Sequence, residues 1–414
     1  MDDDVVVVIG CGMQRYREYL LASAAKRHTL WLFNATEPTW QSEYIAGATV
    51  LPDILDRDVV LAAAKELAGK RTVVGVLSWD ETLVVAVAHV AAALGLPGAG
   101  IDGIEGCRDK QRNRRVLTDA GLGQPAYRWT TTEDDAVAAA EAIGYPVVVK
   151  PRGMGASIGV VLAEDAGGVR GAFHTAEDSS YDGARAYHGG ALVEEYLDGP
   201  EISVDAAVLD GEYLPMFIAR KDVGMYPYFE ELGHTVAADD PLFDDPELSH
   251  VLRTAHTAIG YGFGITHTEV KLTKRGPIIV EINGRLGGDL IPFLGMHATG
   301  IDPGVAVVDV ALGNKPDLVK KFDRVVGIRF GYPPQDCVVR SISVPEPSAE
   351  ESILTAAAIV DPGAELRLPP GGYISRHAYV ICSGSDAREC TRNLDRAIDS
   401  VRLDWQPLAK KSAK

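Results

Sequence analysis

The sequence has no long hydrophobic run and few cysteines. No apolar stretch approaches the roughly 18 residues of a transmembrane helix, so no membrane span is predicted. The five cysteines are scattered, odd in number and contain no Cys-x-x-Cys pair, which is typical of reduced thiols. The start of the chain, Met1-Asp2-Asp3-Asp4, is acidic and unlike the basic start of a secretory signal. We therefore expect a cytoplasmic protein with no membrane partner.

Positive charge is in deficit, because 40 Lys and Arg residues stand against 58 Asp and Glu residues, a formal net charge of −18. Nucleic-acid binding needs a clustered basic face, so this balance argues against a nucleic-acid partner. The short basic run Arg108–Arg115 is interpreted as one face of a helix. A chain of 414 residues with 46% hydrophobic content is long enough for two or three globular domains.

Strands and helices alternate over the first hundred residues. Strands are predicted at Val5–Gly10, Thr29–Phe33 and Thr72–Leu77, and helices at Arg15–Lys26, Arg57–Ala68 and Leu83–Leu94. This alternation predicts an α/β domain with a doubly wound parallel sheet. A Gly/Pro-rich stretch over residues 98–106 predicts a linker and a domain boundary.

Two features of this first domain bear on ligand binding. After Gly10-Cys11-Gly12, Arg15 stands where a dinucleotide fingerprint has its third glycine, which speaks against an NAD site. Glu81 follows the strand that ends at Leu77, at the carboxyl edge where such sheets bind ligands. It could hold a substrate amine, or it could serve with Asp80 as an acidic cap of the next helix.

A lysine and a glycine-rich loop follow in the next part of the chain. The strand Val147–Val149 ends in Lys150, and residues 151–160 then contain three glycines and Ser157. Such a loop can lay backbone N–H groups along phosphates, although a flexible hairpin turn is the alternative. It is not a P-loop, because here the lysine precedes the glycines. Lys110, in the first turn of a predicted helix, carries no signal by itself.

A row of acids lies on one face of a predicted strand further on. Glu201, Ser203 and Asp205 alternate with apolar residues, so one face is polar and the other buried. Beside a phosphate-binding loop, these acids suit the hydroxyls of a ribose. Without that neighbour, the pattern is that of an ordinary half-exposed strand.

A hairpin is predicted around the turn signal Thr273–Pro277. If the turn centres on Arg275, Glu269 and Glu281 lie opposite each other, since 275 − 269 and 281 − 275 are both 6. Like charges so placed repel each other. A hard divalent cation would remove the repulsion, and a hairpin with solvated charges is the alternative.

Asn283 and Arg285 extend this predicted site. Asn283 shares the strand face of Glu281, so an amide oxygen joins the two carboxylates, with Arg285 just beyond. Residues 220–246 show little periodicity and interleave aromatic and acidic residues around His234, which predicts an irregular, ordered lid. From about residue 325, short strands and a final helix predict a smaller C-terminal module.

Taken together, these motifs resemble the ATP-grasp superfamily of carboxylate–amine ligases, in that family's order and spacing from about residue 1 to 320. The resemblance implies that Lys110 and Lys150 hold phosphates, that the Gly153–Gly159 loop closes over the triphosphate, and that Arg285 lies beside the transferred phosphoryl group. Implied ATP-binding residues are Lys110, Lys150, Gly155, Ser157, Glu194 and Leu197 at the adenine, and Glu201 at the ribose. Implied magnesium ligands are Glu269, Glu281 and Asn283.

Within that superfamily, three features resemble the L-amino acid ligases of the bacilysin type, which make dipeptides. These are the lid segment Tyr228–His234, the segment Asn283–Asp289 and the C-terminal module. The lid lacks the proline that usually follows Gly233. The resemblance implies substrate contacts at Glu81, Gly287 and Gly288, with Arg285 and His234 as catalytic residues. His234 would position an amino acid carboxylate or help to deprotonate the attacking amine.

The resemblance also implies an ATP-grasp fold, α/β with α+β parts, in four segments. These are an N-terminal domain (1–105), two ATP-grasp subdomains (106–190 and 191–320) and the C-terminal module (321–414). We expect ATP and Mg²⁺ (or Mn²⁺) as cofactors, small-molecule substrates such as amino acids, and a monomer or homodimer. The expected reaction is ADP-forming peptide-bond synthesis through an acyl phosphate. The alternatives are another ATP-grasp ligation in purine, siderophore or natural-product synthesis, and a non-catalytic or NAD-binding α/β protein.

Overall fold

The first unit of the molecule is a four-stranded parallel sheet with helices, as the alternating pattern predicts. The computed structural model describes residues 4–179 and 186–408, so the first three residues of the acidic start lie outside it, as do residues 409–414. The sheet order is β3-β2-β1-β4, with β1 (Asp4–Ile9), β2 (Leu30–Asn34), β3 (Gly47–Val50) and β4 (Thr72–Leu77). Its helices are α1 (Gln14–Arg27), α2 (Arg57–Ala68) and α3 (Val84–Leu94).

Two further helices follow α3, and one of them lies in the stretch that was predicted to be a linker. Only α4 (Ile101–Arg108) overlaps that stretch, so the linker prediction for residues 98–106 is wrong from residue 101 onward, whereas α5 (Lys110–Asp119) is the helix predicted to carry Lys110. The glycine content there serves close packing, because a Cβ on Gly103 would lie only 2.9 Å from the carbonyl oxygen of Gly260.

A second, antiparallel sheet has four strands in the order β5-β8-β6-β7. They are β5 (Tyr127–Thr130), β6 (Val147–Lys150), β7 (Val161–Ala163) and β8 (Ala191–Glu195), accompanied by α6 (Glu133–Ile143) and α7 (Ala166–Asp178). The glycine-rich loop connects β6 to β7. Because β8 pairs with both β5 and β6, this subdomain continues to residue 195 and does not end at 190.

The largest sheet has eight strands in the order β13-β12-β9-β10-β11-β14-β18-β16. Five of them precede residue 300: β9 (Glu201–Leu209), β10 (Glu212–Gly224), β11 (Glu230–Ala237), β12 (Gly264–Thr273) and β13 (Gly276–Asn283). Three come from the C-terminal segment: β14 (Val325–Gly331), β16 (Ile353–Ala358) and β18 (Ala378–Gly384). Since β11 pairs with β14, the boundary proposed near residue 320 divides a continuous sheet.

The prediction of an irregular lid over residues 220–246 is wrong. β10 and β11 form an antiparallel hairpin whose tip spans residues 225–229, with one bulge between Asp222 and Val223. The prolines that suggested irregularity stand at the tip and in the first turns of two helices, where a missing N–H costs nothing. One of these is Pro246, which follows the capping Asp245.

Helices cover both faces of the large sheet. α8 (Pro246–Ile259) packs on one face, and α9 (Ile291–Thr299) with α10 (Pro303–Ala311) packs on the other, in a core shared with β1 and β4. The C-terminal segment adds α11 (Ala387–Ser400) and a small sheet of β15 (Cys337–Ser343), β17 (Glu365–Leu366) and β19 (Arg402–Pro407). Among the described residues no single helix could cross a membrane; α9 and α10 meet the length and composition test only as a pair, bent by 105°.

Candidate active site

The β12–β13 hairpin brings two glutamates together. Glu269 lies directly opposite Glu281, which confirms the predicted register. The turn itself is tighter than predicted, since Thr273 already pairs with Gly276, and a bulge between Glu269 and Val270 restores the alignment. Both carboxylates point from the same face of the sheet toward the small subdomain.

The oxygen ligands on this face fit a magnesium ion. Asn283 donates a hydrogen bond from Nδ2 to Glu281 Oε1 over 3.0 Å, so its amide stands beside the carboxylate. Burial raises the pKa of Glu281, but the Lys110 ammonium outweighs burial and holds the pKa well below its usual range. Burial likewise raises the pKa of Glu269, and Lys221 lowers it below the ordinary value. Two ionised carboxylates and an amide oxygen are the ligands that Mg²⁺ prefers.

Two lysines face these acids from the small-subdomain side. Lys110 Nζ lies 2.6 Å from Glu281 Oε2 and donates a hydrogen bond to the Met154 carbonyl oxygen in the glycine-rich loop. Lys150, at the end of β6, lies 2.7 Å from Glu194 Oε2. Burial lowers the pKa of Lys150, and Glu194 opposes that effect.

Glu194 has a different surrounding from the one expected for a residue at an adenine ring. Its carboxylate accepts hydrogen bonds from Arg114 Nε and Nη2, at 2.6 and 3.1 Å, in addition to the contact with Lys150. Burial raises the pKa of Glu194, but Arg114 and Lys150 lower it to about 2. Glu194 therefore positions Lys150, and no sequence motif pointed to Arg114.

One open cleft joins these groups, with about 840 Å³ of empty space that includes solvent at its mouth. It lies between the glycine-rich loop and the large sheet. Nine of the predicted site residues line it: Lys110, Lys150, Gly155, Ser157, Glu194, Leu197, Glu201, Glu269 and Glu281. The other six predicted site residues are not part of its lining: Asn283, Arg285, His234, Glu81, Gly287 and Gly288.

Lys221 is the main cavity residue that sequence reasoning missed. Its Nζ lies 2.6 Å from Glu201, 2.7 Å from Glu231 and 3.0 Å from Glu269. Burial lowers the pKa of Lys221, but the three carboxylates raise it well above the usual range. The residue falls in the stretch predicted to be irregular, where strand alternation could have marked it as facing the acids.

Arg285 and Glu81 form an ion pair outside the cavity. Arg285 Nε lies 2.7 Å from Glu81 Oε2, and Arg108 Nη1 lies 2.7 Å from Glu81 Oε1. Burial raises the pKa of Glu81, and the two guanidinium groups lower it below the ordinary value. Glu81 therefore orients Arg285, and its contact with a substrate amine stays a prediction. The residue that accepts the Thr82 N–H at this turn is Asp80 and not Glu81.

His234 lies on β11 in a network of acids and one arginine. Its Nε2 lies 3.1 Å from Asp289 Oδ2 and 3.6 Å from Glu231 Oε2. Burial lowers the pKa of His234, but these two carboxylates raise it above the ordinary value. Arg376 binds Asp289 through Nη1 and Nη2 at 2.6 and 2.8 Å, so the C-terminal segment reaches this network.

The predicted substrate glycines lie at the start of the loop after β13. The N–H of Gly287 donates to Asp205 Oδ2 over 3.2 Å, and a Cβ there would come within 2.9 Å of His267 Nδ1. Gly288 has nothing within 4 Å of the place where a Cβ would project, so the space beside it is open.

A family model described as an ATP-grasp domain matches residues 143–292, from the strand before Lys150 to the loop after β13. Relatives include the alanine–anticapsin ligase of Bacillus subtilis, which is 30% identical over 264 residues. That alignment covers 58% of this chain and 54% of the relative. Residues 143–292 therefore match an ATP-grasp domain, and the chain is similar to ATP-grasp carboxylate–amine ligases.

Other relatives are longer than the region that they share with this chain. The uncharacterized protein y4rH of Sinorhizobium fredii (strain NBRC 101917 / NGR234) is 28% identical over 85% of the chain and 72% of its own length. Human carnosine synthase 1 is 27% identical over 79% of the chain and 41% of its own length. The chain thus spans about half or less of the two named ligases that it matches.

Solved structures support the ATP-grasp fold. An L-amino acid ligase from Bacillus licheniformis superposes with a TM-score of 0.81 at 21% identity, covering 98% of this chain and 100% of that one. Phosphoribosylglycinamide synthetase from Anaerococcus prevotii gives a TM-score of 0.72 at 16% identity, with coverage of 97% and 100%. These identities show the shared fold alone. The fold predicted from the sequence is therefore confirmed.

Proposed function

We propose that this protein is an ATP- and Mg²⁺-dependent ligase that joins the carboxylate of one amino acid to the amine of a second. The observation that carries the proposal is the contact between Lys110 and Glu281, which joins a candidate phosphate-binding lysine to a pair of facing metal-ligand carboxylates in one cavity. The similarity to alanine–anticapsin ligase and to carnosine synthase supports amino acids as substrates.

The reaction must first activate a carboxylate. A carboxylate oxygen attacks the γ-phosphorus of ATP and ADP leaves, which gives an acyl phosphate. The amine of the second substrate then attacks the acyl carbon, and the C–O bond to phosphate breaks. Phosphate leaves and the amine loses a proton, so that the products are an amide, ADP and phosphate.

Phosphoryl transfer depends chiefly on positioning and on neutralising charge. Lys110 and Lys150 supply ammonium groups at the small-subdomain side of the cavity. Glu269, Glu281 and Asn283 would hold Mg²⁺, which neutralises phosphate charge when it is bound. A biotin carboxylase domain with the same fold was solved with MgADP, at 16% identity and a TM-score of 0.70.

Arg285 lies two residues beyond Asn283, and Glu81 holds its guanidinium in place. We assign Arg285 two roles in that position. It binds the oxygens of the transferred phosphoryl group, and it then stabilises the oxyanion of the tetrahedral intermediate. The acyl phosphate hydrolyses in water, so the glycine-rich loop and the tip of the β10–β11 hairpin are assigned to cover it.

His234 is better suited to hold charge than to remove a proton. Asp289 and Glu231 raise its pKa above the ordinary value, which favours the protonated imidazole over the neutral form that a general base requires. We therefore assign His234 to positioning, through Glu231 and Asp289, and not to deprotonating the amine.

The proposal is tested with pure protein, ATP, Mg²⁺ and pairs drawn from the amino acids. Released phosphate is measured first, and the mass of the product is then determined. A dipeptide mass that requires both amino acids, with ADP formed in equal amount, supports the proposal. Phosphate release that requires a different carboxylate or amine would indicate another ATP-grasp ligation, and no release with any pair would contradict the assignment.

A further inference from the structure

Arg17 lies near the site and forms no ion pair with a carboxylate in the part of the chain that the structure describes. It stands in the first turn of α1, just after the carboxyl end of β1, and is partly buried. Its one hydrogen bond within the described residues runs from Nη1 to the Gly287 carbonyl oxygen over 3.3 Å. Within residues 4–179 and 186–408, no carboxylate oxygen lies within 4 Å of its guanidinium.

The other arginines around the site differ from Arg17 in this respect. Each forms an ion pair with a buried or half-buried acid: Arg108 and Arg285 with Glu81, Arg114 with Glu194, and Arg376 with Asp289. In a chain with 58 acids and 40 basic Lys and Arg residues, a partly buried arginine without an acid is unexpected. A desolvated cation of this kind is costly unless an anion joins it.

The surroundings of Arg17 favour an anion over another protein group. Burial lowers the pKa of Arg17, the neighbouring charge of Arg285 lowers it further, and Asp80 and Asp205 oppose that effect. Both acids are engaged elsewhere: Asp205 with His267 Nδ1 at 2.5 Å, and Asp80 with the backbone N–H of Thr82. The guanidinium groups of Arg17 and Arg285 thus lie near each other, and among the described residues no carboxylate pairs with both.

The position of Arg17 separates its ligand from ATP. The residue does not line the nucleotide cavity, and its contact is with Gly287, two residues after Arg285 in the chain. The open space beside Gly288, the next residue in the loop, leaves room for a small ligand there. In a ligation of two amino acids, the donor carboxylate must reach the γ-phosphate, whereas the acceptor carboxylate is unchanged and needs a cation elsewhere.

We propose that Arg17 binds the α-carboxylate of the acceptor amino acid and so selects amines that carry a carboxylate. The role of the ligand as acceptor rests on the proposed ligase activity, whereas binding of a carboxylate at Arg17 does not. Arg17 presents two N–H groups to a planar anion, a geometry that lysine reproduces only in part.

The test measures binding without turnover. Thermal shift is recorded for the full chain with Mg²⁺, a non-hydrolysable ATP analogue, and each L-amino acid or its amide. We expect at least one amino acid, but not its amide, to stabilise the wild type. Arg17→Gln should lose at least about tenfold in the affinity for that amino acid, the loss of about 1.4 kcal/mol expected for one charge-assisted hydrogen bond.

Arg15→Gln is the matched control, because Arg15 lies on the same helix and, among the described residues, its side chain donates to backbone carbonyls of the C-terminal segment. It should keep the wild-type affinity, Arg17→Lys should recover part of it, and the affinity for the ATP analogue should not change in any variant. Unchanged amino acid affinity in Arg17→Gln, equal stabilisation by amides, or no stabilisation by any amino acid would each overturn the proposal. If the wild type binds an amino acid through Arg17 but releases no phosphate, only the ligase assignment fails.

Discussion

Lys110 and Glu281 form an ion pair of 2.6 Å between two parts of the chain that are far apart in sequence, and each side chain is only 11% exposed. Lys110 belongs to the helix that follows the N-terminal domain, and Glu281 to the edge strand of the large sheet. The pair therefore links the phosphate side of the cavity to the metal side. A negatively charged ligand that brings Mg²⁺ can pair with both residues, its negative charge with Lys110 and the cation with Glu281. Neither side chain is then left unpaired.

Glu281→Gln should abolish turnover while the protein stays folded. The substitution keeps the size of the side chain but removes one of two facing carboxylates, so we expect kcat to fall by about a hundredfold or more. Phosphate release at several Mg²⁺ concentrations measures the loss, and circular dichroism checks the fold. Glu66→Gln is a matched control, since Glu66 forms an exposed ion pair with Lys70. A wild-type rate of phosphate release in Glu281→Gln would contradict the assignment of Glu281 as a metal ligand.

Lys150→Ala and Arg114→Ala should separate catalysis from stability. Both residues contact Glu194, but Arg114 also donates to the carbonyl oxygens of Ile279 and Val280. Lys150→Ala leaves Glu194 paired with Arg114, so we expect a folded protein without turnover. Arg114→Ala leaves backbone acceptors unpaired and should cost about 3–5 kcal/mol in the free energy of unfolding. Urea unfolding and phosphate release are measured on both, and equal stability of the two variants would contradict this division.

Acid should destabilise the protein through Glu194. Its pKa is about 2 in the folded state against an ordinary value of 4.5, so the unfolded chain binds the proton more tightly. The stabilisation is therefore complete above about pH 4.5 and is lost as the pH falls toward 2, on the order of 3 kcal/mol in all. Urea unfolding between pH 6 and 3 should show a smaller pH dependence in Glu194→Gln than in the wild type. If the free energy of unfolding depends on pH equally in both proteins, a group other than Glu194 causes the loss of stability in acid.

Arg376→Lys should weaken the binding of the amino acid substrates and leave the binding of ATP unchanged. Arg376 is buried, holds Asp289 by two hydrogen bonds and lies 3.7 Å from the centre of the Phe330 ring, an arrangement that lysine cannot reproduce. Since Asp289 contacts His234, we expect KM for an amino acid to rise about tenfold or more with KM for ATP unchanged. Arg367→Lys, at an exposed pair with Glu365, serves as the control. A change in KM for ATP alone would place Arg376 with the nucleotide.

The sequence predicted the parts of the site that depend on local spacing. Strand parity and a turn of known position are enough to place Glu269 opposite Glu281, and the structure has that pairing. Motif order was sufficient to bring Lys110 and Lys150 to one cavity. These predictions need only regular geometry within a hairpin or a familiar order of elements.

The remaining contacts depend on which elements meet in space. Lys221 and Arg114 carry no motif. Arg114 contacts Glu194, and Lys221 contacts Glu201 and Glu269 from strands outside its own hairpin, so local spacing does not give these pairs. The partner of Arg285 was missed for the same reason, because Glu81 comes from a different domain. The hairpin over residues 212–237 was missed because prolines and glycines near its tip conceal the strand alternation.

The most direct test of the account follows oxygen atoms from substrate to product. The donor amino acid is labelled with oxygen-18 in its carboxylate and converted with ATP, Mg²⁺ and an acceptor amino acid. If the carboxylate is activated as an acyl phosphate, one labelled oxygen must leave with phosphate, and mass spectrometry should find it there, with ADP as the other product. Unlabelled phosphate, or the label in AMP, would contradict the account.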